Sequence, residues 1–300
     1  MSLNALYDLP APAKLNLFLH VIGRRDDGYH LLQSLFVLID WSDTLHLAIR
    51  SDAQLLRHDL GPALPADDLC LRAARALQQA SGCTLGADIS ITKQVPWGAG
   101  MGGGSSDAAT VLLGLNRLWG LGWSRARLCE LGLRLGADVP FFLGGHNAFV
   151  EGVGEKLTPI EVPPMRLAVL KPAAAIGTQE IFSSPLLTRD TNAATVEGLL
   201  ADMQQRRERP SPTAEVFWGR NDLQPAAEAV CPDVKLAGQM LALQFGNSRM
   251  TGSGSAVFAL ASDGTGDQPV ATTLEGNLPD GWVGRMCRSL VHHPLVGWAD

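Results

Sequence analysis

The chain has 300 residues, 46% of them hydrophobic, and a formal net charge of −6. That length and apolar content support two domains, or one large one, around a substantial core, while the acidic balance gives no global attraction to nucleic acid or anionic lipid. Five widely spaced cysteines (Cys70, Cys83, Cys129, Cys231 and Cys287) form no Cys-x-x-Cys and argue against a disulfide frame or a zinc site.

Residues 1–10 lack a basic segment followed by an apolar one, and no apolar run approaches ~20 residues, so a cytoplasmic protein without a membrane partner is expected. Residues 13–22 alternate, with Leu15, Leu17, Leu19 and Val21 on one side and Lys14, Asn16, Phe18 and His20 on the other. This is the pattern of a half-buried strand. Lys14 and Asn16 share a face, either as a solvated strand face or as a cation and an amide projecting together from a rigid element. The turn Gly23-Arg24-Arg25-Asp26-Asp27-Gly28 leads through Tyr29 and His30 into an apolar strand at 31–39. Tyr29 and His30 suit local packing, or stacking on and reading a planar base. A separate strand is expected at 45–49, joined through Ser42-Asp43. Asp67 or Asp68 should cap a helix that Gly82 ends, and a short strand around Ile89 and Ile91 should stop at Pro96.

Residues 96–109 read Pro-Trp-Gly-Ala-Gly-Met-Gly-Gly-Gly-Ser-Ser-Asp-Ala-Ala. Gly98, Gly100, Gly102, Gly103 and Gly104 remove the Cβ atoms that would hold backbone amides away from an anion. Ser105, Ser106 and Asp107 should cap a buried helix running from Ala108 to Trp119, whose free N–H groups favour phosphate. Gly98, Gly100 and Gly103 satisfy Gly-x-Gly-x-x-Gly, but Pro96-Trp97 intervenes after the strand and no acid follows about twenty residues on, against a dinucleotide fold. No Lys-Ser or Lys-Thr follows the glycines, which excludes a Walker A loop.

Ser124 should cap a further helix through Leu128, Leu131 and Leu135, ended by Gly136. Asp138 follows, before Val139-Pro140-Phe141-Phe142, where it suits an N-cap or a catalytic carboxylate. A small strand is expected at 148–151. Pro163-Pro164 marks the boundary between units 1–162 and 163–300. In the second unit a strand begins at Arg166, 204–212 reads as a mobile loop, and a helix at 233–244 should end at Gly246. Thr251-Gly252-Ser253-Gly254-Ser255 precedes a strand at 256–260, as a hairpin turn or as a second loop closing beside the first.

Pro96-x-x-x-Gly100-Met101-Gly102, followed by a Gly/Ser-rich helix start, resembles the central motif of the galactokinase, homoserine kinase, mevalonate kinase and phosphomevalonate kinase superfamily. Within it, Ala13-Lys14-Leu15-Asn16-Leu17, Gly28-Tyr29-His30, Gly98 through Ser106, Gly136-Ala137-Asp138-Val139-Pro140-Phe141 and Gly252-Ser253-Gly254 resemble the branch acting on 4-diphosphocytidyl-2-C-methyl-D-erythritol. The match runs in order from about residue 10 to beyond 258.

The resemblance implies a two-domain α+β small-molecule kinase fold, its N-terminal ATP-binding domain similar to domain 2 of ribosomal protein S5, its C-terminal substrate-side domain ferredoxin-like, with the active site between them. It implies ATP and Mg²⁺, a small cytidine diphosphate-linked substrate, and phosphorylation of that substrate's 2-hydroxyl in the non-mevalonate route to isoprenoid precursors. By resemblance Asp138 is the base or hydroxyl-orienting group and Lys14 its cationic partner. Pro96, Trp97, Gly98, Ala99, Gly100, Met101, Gly102, Gly103, Gly104, Ser105 and Ser106 form the ATP wall. Tyr29 and Phe182 sandwich the cytosine, His30 bonds its edge, Asn16 places the erythritol part, and Thr178 is a further candidate. Gly252, Ser253 and Gly254 are loop contacts. No acidic ligand for magnesium is singled out, and Ser105 or Ser106 offers a hydroxyl.

Two positions depart from the branch: Asp68 stands where asparagine is usual near the adenine, and Met101 replaces leucine, a volume-conserving change. Competing readings are a homoserine or mevalonate kinase, opposed by Tyr29, His30 and Phe182, and a nucleotide-binding regulatory protein without turnover, opposed by Lys14 with Asp138. An RNA-binding module is opposed by the acidic balance. The sequence leaves oligomeric state open.

Overall fold

The computed structural model describes residues 3–208, 217–262, 274 and 278–300. Two long strands, β1 (Ala5–Arg24) and β2 (His30–Arg50), pair antiparallel along nearly their whole length. The two strands expected at 31–39 and 45–49 are therefore one. Ser42-Asp43 is not a turn, because β2 changes partners there: residues 32–36 pair with β5 (Ala148–Gly152) and residues 44–50 with β4 (Gly86–Thr92). At the changeover Asp43 Oδ1 accepts from the Gln94 and Val95 amides at 2.5 and 2.8 Å. A strand the hydrophobic pattern did not announce, β3 (Leu55–Asp59), runs parallel to β4, and β6 (Lys156–Pro159) closes the other edge. The sheet order is β3-β4-β2-β5-β6, with β1 also on β2.

Helices cover one face. Asp68 caps α1 (Leu69–Ser81), accepting from the Leu71 amide at 3.1 Å, and Gly82 ends it in the left-handed conformation. The buried α2 (Gly103–Leu118) starts five residues earlier than expected, with Gly102 at the N-cap and no side-chain cap. Ser105, Ser106 and Asp107 are thus inside the helix, since the glycine turn itself supplies the entry angle. Ser124 caps α3 (Arg125–Leu133), which ends before Gly136, and α4 (Val139–Gly144) follows. Aliphatic side chains from α1, α2 and α4 meet Leu45, Leu47, Ile89 and Ile91 of the sheet in one core.

The second unit contains β7 (Arg166–Lys171), α5 (Thr178–Ser183), α6 (Val196–Glu208), α7 (Gln224–Val230), α8 (Pro232–Phe245), β8 (Arg249–Met250), β9 (Val257–Ser262) and β10 (Val283–Arg288). Its antiparallel sheet has the order β10-β7-β9-β8, and Gly246 ends α8 as expected. Residues 204–208, read as loop, are the last turn of α6, and 209–212 lie outside the described residues. This unit lies against β1, which explains why β1 is buried on both faces rather than half-buried. Arg249 donates to the Leu17 carbonyl at 2.6 Å, and Asp222 accepts from the Val21 amide at 2.8 Å. The chain then returns: the Leu290 amide donates to the Leu38 carbonyl at 2.8 Å, and Leu295 and Ala299 enter the core beside α2. Among the described residues no helix is long and apolar enough to cross a membrane.

Candidate active site

A cleft between the two units is lined by Lys14, Asn16, Ser34, Phe36, Gly100, Gly102, Asp138, Thr178, Phe182, Gly252 and Ser253, among others. Lys14 and Asn16 do share a face of β1, and it points into this cleft rather than to bulk solvent. Lys14 Nζ donates to Asn16 Oδ1 at 2.6 Å, and Asn16 Nδ2 donates to Ser34 Oγ at 2.8 Å. Ser34 Oγ in turn donates to the Phe18 carbonyl at 2.5 Å, and Thr251 Oγ1 receives the Asn16 amide at 2.9 Å. Every polar atom of this chain of contacts is buried, so the rotamers of Lys14 and Asn16 are fixed before any ligand arrives.

Asp138 Oδ2 lies 3.6 Å from Lys14 Nζ. Asp138 occupies the N-cap position of α4 but makes no cap hydrogen bond, which leaves its carboxylate directed at the cleft. Burial pushes the Lys14 ammonium below the ordinary lysine range, and the facing Asp138 carboxylate opposes that shift. The Lys14 ammonium also sits 4.3 Å from the Phe36 ring centroid, a cation–π contact.

The glycine loop lies beside this pair. The Lys14 amide donates to the Met101 carbonyl at 3.0 Å, and a Cβ on Gly102 would meet Phe142 at 3.0 Å and Lys14 Cε at 3.3 Å. Gly98, Gly100 and Gly102 all have φ between 63 and 72°, so the loop turns its backbone toward the cleft in a conformation other residues resist. Ala99 and Met101 are buried anchors, whereas Trp97 is 77% exposed and is not among the residues lining the cleft. Gly103 and Gly104 open α2, Ser105 stands near Gly136, and Ser106 turns inward, its Oγ buried without a hydrogen-bond partner.

Behind the loop Lys93 bridges Asp43 and Asp107, its ammonium 2.6 Å from Asp107 Oδ2. Burial alone would lower the Lys93 pKa, but the two carboxylates overcome it and hold the lysine charged. Burial pushes the Asp107 carboxyl above the usual carboxylate range, with the Lys93 ammonium opposing that shift and the Asp43 carboxylate adding to it.

Asn16, Thr178, Phe182, Gly252 and Ser253 join the same cleft. Thr178 Oγ1 and Ser253 Oγ are 2.9 Å apart. His30 stacks on Phe182 with centroids 5.0 Å apart and planes inclined by 26°. Arg189 Nε donates to His30 Nε2 at 3.2 Å, while its Nη2 donates to the Phe182 carbonyl at 3.1 Å. Burial, with Arg189 and Arg24 nearby, lowers the His30 pKa and favours the neutral ring. Tyr29 is adjacent but 65% exposed. Gly252-Ser253-Gly254 is both things the sequence left open: it turns β8 into β9 and also closes on Gly100, where a Cβ would lie 2.4 Å from the Thr251 carbonyl oxygen.

Residues 68–146 match the family model of the GHMP kinase N-terminal domain, and residues 199–275 that of the GHMP kinase C-terminal domain. Over 300 residues the chain is 63% identical to a 4-diphosphocytidyl-2-C-methyl-D-erythritol kinase of Methylibium petroleiphilum, covering 100% of both chains. The chain belongs to the 4-diphosphocytidyl-2-C-methyl-D-erythritol kinase branch of the GHMP kinases. A second relative of that name, from Variovorax paradoxus, is 56% identical over 99% of this chain and 100% of its own. A crystal structure of 4-(cytidine 5′-diphospho)-2C-methyl-D-erythritol kinase is 37% identical and superposes with a TM-score of 0.69, covering 85% of this chain and 90% of the other. A homoserine kinase from Cytophaga hutchinsonii, at 17% identity and a TM-score of 0.67 over 98% of this chain and 96% of the other, shares the fold.

In this GHMP kinase three contributors escaped the reading of the sequence. Ser34 had a visible signal, a lone hydroxyl in the apolar run Leu31-Leu32-Gln33-Ser34-Leu35-Phe36. Thr251 stood beside a loop already noted. Arg189 had none, since nothing in its polar neighbourhood marks it as the partner of a residue 159 positions earlier.

Proposed function

We propose that the chain transfers the γ-phosphoryl group of ATP to the 2-hydroxyl of 4-diphosphocytidyl-2-C-methyl-D-erythritol, giving ADP and the 2-phosphate. The observation that carries this reading is the Lys14–Asp138 pair at 3.6 Å, set between the glycine turn that opens α2 and the Thr178, Phe182 and Ser253 side of the cleft. An aspartate there can accept the alcohol's proton, or orient the alcohol, as the O–P bond forms. The Lys14 ammonium faces that carboxylate and balances charge growing on the phosphoryl oxygens.

In this reading residues 96–106 hold the ATP phosphates through backbone amides and the N-terminal end of α2. Asn16 places the alcohol, Tyr29 and Phe182 take the two faces of the cytosine, and His30 bonds its edge. Among the described residues no group of three or more His, Cys, Asp or Glu is arranged to hold a metal ion. Ser105 or Ser106 would offer a hydroxyl to Mg²⁺, which would neutralise phosphate charge when bound with ATP. ATP as donor fits a cytoplasmic setting, and neither nucleic acid nor membrane is needed.

The test is ADP release with the cytidyl substrate, homoserine or mevalonate as acceptor. Turnover confined to the cytidyl substrate is expected; turnover only with either of the others would overturn the assignment, and ATP binding without turnover of any would favour a regulatory protein.

A further inference from the structure

Asp138 is the N-cap of a helix only six residues long, α4, a rod of roughly 9 Å. Its far end is gripped from two directions. Arg125, the first residue of α3, directs one terminal guanidinium nitrogen to the carbonyls of Leu143 and Gly144, the latter at 3.5 Å. Its other terminal nitrogen reaches the carbonyls of Val296 and Ala299, the latter at 2.5 Å. A cation is favoured at the C-terminal end of a helix, and a planar fork ties two sets of carbonyls together in a way that a point charge on a flexible stem does not.

The second grip is steric. Gly145 ends α4 with φ 77°, and a Cβ there would come within 2.9 Å of Val296 Cγ2. The Gly145 carbonyl also accepts from the His293 amide at 2.8 Å, and the Arg125 amide donates to the Asp300 carbonyl at 2.7 Å. Residues 290–300 therefore cross back from the second unit to close behind the helix that carries the proposed base.

We propose that Arg125 and the segment 290–300 form a brace that positions Asp138 by acting through α4. Arg125 is a positioning residue, since its guanidinium is bonded to carbonyls at the opposite end of α4 from the cleft. The inference rests on the reading of Asp138 as the group that accepts or orients the alcohol's proton. A shift of about 1 Å in such a group can cost 10²-fold in rate.

The test is a double-mutant cycle read as kcat and KM with ATP and the cytidyl substrate, with thermal melting to confirm folding. Arg125→Lys should lower kcat about tenfold or more while leaving both KM values within about twofold; in an Asp138→Asn background it should cost less than about twofold, because the group being positioned has lost its role. An unchanged kcat, or an equal loss in both backgrounds, overturns the brace. If Arg125→Lys does not fold, Val296→Ala replaces it: it trims the side chain that faces Gly145 and should show a smaller kcat loss that again vanishes with Asp138→Asn. Full activity of Asp138→Asn alone would instead remove Asp138 from the mechanism.

Discussion

Gly100 and Gly252 meet backbone to backbone: a Cβ on Gly252 would lie 2.7 Å from the Gly100 carbonyl oxygen. Neighbouring hydrogen bonds, from the Ser255 amide to Gly98 O at 3.3 Å and from the Ala256 amide to Ala99 O at 3.2 Å, lace the two glycine loops together. The phosphate-side loop of the first unit and the turn between β8 and β9 of the second thus form one surface, and the cleft depends on both.

Gly100→Ala should destabilise the protein by roughly 2–4 kcal/mol, the sum of the left-handed backbone cost and overpacking against Thr251 O. Gly246→Ala is the control. Its φ of 73° matches the 72° of Gly100, but no atom lies within 4 Å of the added Cβ, so only the backbone cost should appear. Thermal unfolding of the two variants separates the terms, and Gly100→Ala should also raise the KM for ATP. Equal losses of Tm would show that the meeting of the loops contributes nothing.

Lys14→Met should abolish turnover, by at least ~10²-fold, without lowering Tm. Burial depresses the Lys14 pKa below its unfolded value, so the unfolded chain binds the proton more tightly. The charged lysine consequently weakens the fold, and the weakening fades as pH rises from the depressed pKa toward the unfolded one. Methionine fills the same volume and removes that cost, at the expense of the hydrogen bond to Asn16. Melting curves at pH 7.5 decide the matter. A Tm several degrees lower would mean that the ammonium holds the site together as well as serving it.

These two cases show what kind of information the sequence carried. Lys14, Asn16 and the glycines were legible because their chemistry is written locally: a period of two puts Lys14 and Asn16 on one face, and glycine density announces a special backbone. Asp138 was legible as a position, but whether it capped α4 or faced the cleft was settled only by the approach of Lys14 from β1. Asp107 was misjudged as a helix cap because its partners, Lys93 and through it Asp43, come from the segment just after β4 and from β2. The same holds for the covered face of β1. Alternation places Lys14 and Asn16 correctly, but a register shift between Asn16 and Leu19 brings Leu19, expected on the opposite side, into the cleft with them, and only the packing of the second unit decides whether both sides are dry.

Tyr29→Ala should raise the KM for the cytidyl substrate about tenfold, the worth of one aromatic stack, while the KM for ATP stays within about twofold. Because Tyr29 is 65% exposed, its removal leaves no cavity and the fold should melt unchanged. The side-by-side Michaelis constants are the check. A parallel rise in both would move Tyr29 from base stacking to loop order.

His293→Asn should make the protein less sensitive to acid. His293 is buried in the closing segment, its Nδ1 accepting from the Leu295 amide at 3.0 Å while Nε2 has no hydrogen-bond partner. Burial first, and Arg125 second, push its pKa down to about 4. An unfolded histidine takes up its proton near pH 6.5, so between there and pH 4 the unfolded chain binds the proton and the folded chain does not. Stability is therefore lost as pH falls across that window, by on the order of 3 kcal/mol from this residue if the shift is fully expressed. His20 and His30, also lowered by burial, add losses of the same sign that the substitution leaves in place. Asparagine keeps an acceptor for the Leu295 amide but cannot be protonated. Tm measured at pH 7.5 and 5 should fall less in His293→Asn than in the parent, and an identical fall would show that the imidazole gains its proton without opening the segment behind α4.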